Sequence, residues 1–77
     1  MTVSEFKQNG KGIFIPEEIY YNTKLTPEQR FVLAVNKCND IQFKNEKEEA
    51  EFHGISEKKL REIKQTLEWF GYLDVTE

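Results

Sequence analysis

The stretch from Gly54 to Leu73 constrains this chain more than any other. It spells out a turn, a helix start, a buried stripe and a helix stop in uninterrupted order. Gly54 can take a positive φ and end a preceding helix. Ser56 is a good N-cap, because its hydroxyl accepts from a free backbone N–H two or three residues on. Leu60, Ile63, Leu67 and Phe70 then recur three or four residues apart, which places them on one helical face. Gly71 stops the helix, and Tyr72, Leu73 and Val75 read as a short β-prone run. The opposite face carries Lys58, Lys59, Arg61, Lys64 and Gln65. A helix with one apolar side and cations and an amide on the other suits an anionic surface.

The same periodicity argument works upstream. Thr26 can cap a helix with Pro27 in its first position and Gln29 closing a capping box, and that helix runs to about Cys38. Phe31, Ala34, Val35 and Cys38 line one face, flanked by Val32 and Leu33; so broad a stripe predicts a central helix touched from two sides. Asn45 can cap a short acidic helix over about 46–53, with Glu48 completing a second box. Pro16 to Ile19 reads as one helical turn. Ile13 to Ile15 reads as a strand or extended segment, and Ile41 to Phe43 as a short strand able to pair with Tyr72 to Val75. Residues 1–11 read as a polar, flexible arm.

The order and spacing of these pieces resemble the winged helix-turn-helix domain of phage and plasmid replication initiators and small bacterial regulators. The likeness rests on Gly54-Ile55-Ser56, an apolar Leu60 four residues after the serine, Leu67 eleven after it and Gly71 fifteen after it. Phe14-Ile15-Pro16-Glu17-Glu18-Ile19 and Leu25-Thr26-Pro27-Glu28 look like the family's first strand and first helix start, so roughly residues 12–75 are covered. The chain departs from the family in the acidic helix. Glu49 and His53 stand where the family favours apolar residues, and Phe52 where it favours a polar one. Either the helix is rotated to turn Phe52 inward or it packs poorly. The family's hairpin wing also lacks a counterpart before Glu77, so the wing is expected to be truncated, absent, or carried on a continuation of the chain.

The fold so implied is α+β: one winged helix-turn-helix-like domain over residues 12–77, with three main helices and a short β-sheet. The function so implied is sequence-directed binding of duplex DNA, as a small regulator or the DNA-binding part of an initiator, by a helix over about 56–70. Ser56, Lys58, Lys59, Arg61, Glu62, Lys64 and Gln65 are its candidate contacts. Gln65 can pair with adenine, Lys59 with guanine, and Glu62 with a cytosine amino group or simply with Lys58. Arg61 and Lys64 suit phosphates, which position a protein without reading sequence. The plainer alternative is an exposed amphipathic helix whose lysines serve solubility alone.

Composition bounds these readings. Seventy-seven residues make one small domain with a modest core, which a homodimer or partner would support. The net charge of −3 disfavours a general nucleic-acid binder, yet a local field is set by charges within a Debye length of roughly 8–10 Å. The acids gather at Glu17-Glu18, Glu46 to Glu51 and the last residues, and the cations after Ser56. That polarisation also supports a rival reading: a protein-binding domain, an adaptor or an inhibitor of a host nucleic-acid enzyme, acting through acidic and aromatic faces. Tyr20, Tyr21 and Trp69 are the candidate partner contacts. A lone Cys38 fits a reducing cytoplasm, and with a lone His53 it makes no structural zinc site. No catalytic constellation, phosphate loop, cofactor site, signal peptide or membrane span is evident.

Overall fold

A computed structural model describes residues 1–9 and 12–73. Five helices follow one another: α1 (Val3–Asn9), α2 (Glu17–Tyr20), α3 (Pro27–Cys38), α4 (Glu46–His53) and α5 (Glu57–Trp69). The helix starts follow from side-chain chemistry. Thr26 accepts from the Gln29 N–H while Gln29 reaches back to the Thr26 N–H, a complete capping box. Asn45 accepts from the Glu48 N–H at 2.8 Å, but the Glu48 carboxylate reaches one residue further back, to the Lys44 N–H. Ser56 caps α5 through the Lys59 N–H.

Helices α4 and α5 end in the same way. Gly54 and Gly71 stand at φ 72° and 80°, where a side chain would be strained, and neither approaches a neighbour that a Cβ would meet. After Gly54 the Ile55 N–H returns to the Ala50 carbonyl; after Gly71 the Tyr72 N–H returns to the Leu67 carbonyl. These are Schellman closures, and in each the next residue folds an apolar side chain back onto the core.

Helix α3 is central. Val32, Leu33, Ala34 and Val35 are all buried on it. It packs on α5 and on α2, and α4 packs on α5. Leu25, Val32, Leu33, Ala50, Leu60, Ile63 and Leu67 form one cluster, with Ile19, Ile55, Tyr72 and Leu73 packed against it. Each Leu, Val or Ile side chain so buried contributes about 1.5–3 kcal/mol. Arg30 ties the α2–α3 link by donating to the carbonyls of Tyr20, Asn22 and Leu25. Tyr72 is anchored by the Asn22 amide on its hydroxyl and by Lys37 on its carbonyl.

The expected α+β fold is overturned: among the described residues there are five helices and no strand. The physical reason is that every segment read as β-prone finds another partner for its backbone. Asn39 alone satisfies Phe14, accepting from its N–H and donating to its carbonyl. Gln42 makes one isolated parallel bridge, to Thr2 near the start of the chain. The run after Gly71 curls onto the end of α5, spending the Tyr72 and Leu73 N–H groups on the Leu67 carbonyl. The rest of that expected strand, including Val75, lies outside the described residues.

The chain's first segment forms α1. Its Phe6 stacks edge-on against Phe52, which in turn meets Phe43 and His53. Phe52 therefore finds aromatic neighbours, but Glu49 and His53 keep the inward positions of α4, so the helix is not rotated to exchange them for Phe52.

Candidate nucleic-acid interface

Helix α5 carries four cations against three acids, and α4 carries four acids against one lysine. The packing of α4 on α5 decides which of those cations remain available. Lys64 does not: its ammonium lies 2.6 Å from the Glu49 carboxylate. Glu49 is only 5 % exposed and also accepts from the Asn36 amide on α3 at 3.1 Å. Asn36 further donates to the Val32 carbonyl. Three helices are thus joined through one buried carboxylate whose two oxygens are both satisfied, the condition for a buried charge to be tolerated.

Arg61 is also engaged, but at the surface. Its Nε lies 3.3 Å from Glu46, with both side chains well exposed. Such a pair contributes about 0–1 kcal/mol and opens readily for a stronger anion. The Ser56 hydroxyl is occupied by its cap. The remaining candidates stand free on the outward side. Lys58, Lys59, Glu62 and Gln65 are exposed, and among the described residues their side chains make no hydrogen bond or ion pair. Of the seven residues singled out in the sequence, the structure brings four together on an open face and commits three to local structure.

Lys58 and Lys59 occupy the first turn of α5. The partial positive charge of a helix N-terminus disfavours cations there, by about 0.3–1 kcal/mol each. Two lysines set against the dipole outnumber the one carboxylate of that turn, Glu57, and add to the field of the free backbone N–H groups. Together they make the start of α5 attractive to a phosphate.

The candidate partner contacts fall in two places. Tyr20 and Tyr21 are both exposed, with rings edge-on at 4.9 Å, and they pair with each other rather than with Trp69. Trp69 is 84 % exposed at the far end of α5, while Phe70 tilts onto Tyr72.

His53 sits at the end of α4 with its ring edge-on to Phe31 and Phe52. Both ring nitrogens are buried without a hydrogen-bond partner. Burial pulls its pKa below the ordinary histidine value, with Glu49 opposing that shift and Lys64 adding to it. The neutral ring is a packing element. Among the described residues no three His, Cys, Asp or Glu side chains converge as a metal ion would need. None of the described helices is long and apolar enough to cross a membrane.

Sequence reasoning did not single out Glu49, Asn36 or Arg30 as structural. Glu49 and Lys64 are fifteen residues apart, a separation that no local pattern reports. The one available signal was an acid at a position where an apolar residue was expected.

No family model, curated protein or solved structure matches the chain.

Proposed function

We propose that the chain binds duplex DNA through the first half of α5, with α4, the Gly54 turn and α5 serving as a helix-turn-helix unit that has no wing among its described residues. The observation that carries this reading is the placement of Lys58 and Lys59. They stand unpartnered on the exposed side of the first turn of α5, two cations against the single acid Glu57, beside free backbone donors. The turn before them is rigidly built, by Gly54 in the left-handed conformation, Ile55 on the core and the Ser56 cap. A helix presented in this way can enter a major groove by its N-terminal residues. Lys58 and Lys59 then hold phosphates, Arg61 joins them on leaving Glu46, and Gln65 and Glu62 face base edges, where an amide pairs with adenine and a carboxylate accepts from cytosine. Lys64 takes no part, because its charge is spent on Glu49.

The likeness of Gly54 to Gly71 to phage and plasmid helix-turn-helix domains supports the same reading and extends it to a small regulator or an initiator's DNA-binding part, acting in the cytoplasm, where Cys38 stays a free thiol. Two copies on two half-sites would supply the affinity that so few contacts lack. Anisotropy of a labelled mixed-sequence duplex at low and at moderate salt tests the proposal. Binding should fall steeply with salt and be lost in the variant Lys58→Ala, Lys59→Ala, Arg61→Ala. Absence of binding at low salt rejects it.

A further inference from the structure

The second half of α5 presents a different surface from the first. Glu62, Gln65, Thr66 and Trp69 line one open groove along the outside of the helix. Their spacing of three, four and seven residues aligns them on a single face. Glu62 stands toward one end of this groove and Trp69, 84 % exposed, toward the other. Thr66 spends its hydroxyl on the Glu62 carbonyl. The Glu62 carboxylate, the Gln65 amide and the Trp69 indole N–H have no hydrogen-bond or ion-pair partner among the described residues.

We propose that this groove docks an arginine side chain of a protein partner. A guanidinium is planar and weakly hydrated, stacks on an indole face, and offers a fork of donors to a carboxylate. Trp69 supplies the face, Glu62 the carboxylate and Gln65 a neutral acceptor. Glu62 in the groove favours a cation over a phosphate, so arginine docking competes with the base-edge roles proposed above for Glu62 and Gln65. A second copy of this chain has only Arg61 to offer, once it leaves its surface pair with Glu46. The chain has two arginines; Arg30 is bound to three carbonyls and Arg61 to Glu46.

Trp69 is the chain's one tryptophan, so its fluorescence reports this groove alone. Tetra-arginine amide and tetralysine amide serve as probes, titrated into the wild type, Glu62→Lys and Glu17→Lys. The last makes the same charge change on α2, away from the groove. Far-UV circular dichroism confirms that each variant folds. Tetra-arginine should change the emission saturably and bind at least about fivefold more tightly than tetralysine. Glu62→Lys should weaken it by about tenfold or more, and Glu17→Lys by less than about twofold. The proposal is overturned by the absence of saturable change at millimolar peptide, by equal affinity for the two peptides, or by equal weakening in the two variants. The Lys58→Ala, Lys59→Ala variant should still bind the peptide, which separates this groove from the lysine phosphate contacts of the DNA-binding face; Glu62 and Gln65 belong to both.

Discussion

The two flanks of α5 hold the same residue types and put them to opposite uses. On the side toward α4, Lys64 is half-buried against Glu49, and Arg61 leans on Glu46. On the outward side, Lys58, Lys59, Glu62 and Gln65 stand free in solvent. The difference lies in what each side chain faces across the helix pair. Opposite an acid in a low-dielectric interior, a lysine becomes part of the scaffold. Opposite water, it stays available for an anion.

The sharpest way to break this contrast is to remove one member of the buried pair. Lys64→Ala leaves the Glu49 carboxylate charged with only Asn36 as a partner, and should lower unfolding stability by about 3 kcal/mol in urea titrations. Glu49→Ala should cost less, because the half-exposed Lys64 can swing into solvent. The double variant Glu49→Leu, Lys64→Met should recover most of the loss, since an apolar pair in such a site is often neutral or better. Equal losses from the two single substitutions would contradict the picture of a carboxylate held in the interior by its lysine.

The outward lysines should behave in the reverse sense. Lys58→Ala with Lys59→Ala should shift folding stability by less than about 0.5 kcal/mol. The same change should weaken duplex binding by about tenfold or more and flatten the salt dependence by about two phosphate contacts.

A third expectation concerns a charge the interior refuses. His53 is held neutral by its burial among Phe31, Phe43 and Phe52, with Glu49 and Lys64 the charged groups nearest in effect and Glu28 lining the same cleft. The unfolded chain takes up a proton near the ordinary histidine pKa of about 6.5, and the folded ring resists it. Its stabilising contribution is therefore full above that pH and lost as the pH falls through the lowered folded value. Thermal unfolding of the wild type should weaken between about pH 7 and 5.5, and His53→Phe should remove most of that dependence. Arg61→Ala, which removes only an exposed pair, should cost at most about 1 kcal/mol of stability by the same unfolding assay.

Helix starts and stops were legible in the sequence because their causes are local. Thr26, Asn45 and Ser56 bond to backbone within three residues, and Gly54 and Gly71 act through their own φ. The alternation in Ile41 to Phe43 and after Gly71 misled, because pairing depends on distant backbone. Thr2 and the Schellman closure at Leu67 claimed those groups first, as Asn39 did those of Phe14. The candidate site was half legible for the same reason. The amphipathic face of α5 is a local pattern, whereas the loss of Lys64 to Glu49 is decided fifteen residues away in the chain. Glu49 at an apolar position looked like poor packing, and it proved to be the joint of three helices.

Amide chemical-shift mapping with an unlabelled mixed-sequence duplex tests the central claim most directly, because it reads both flanks of α5 at once. The account predicts that shifts concentrate from Ser56 to Gln65 on the outward side, with the Lys64–Glu49 pair intact in the complex. Shifts centred on α1 and α2, or release of Lys64 from Glu49 on binding, would contradict it.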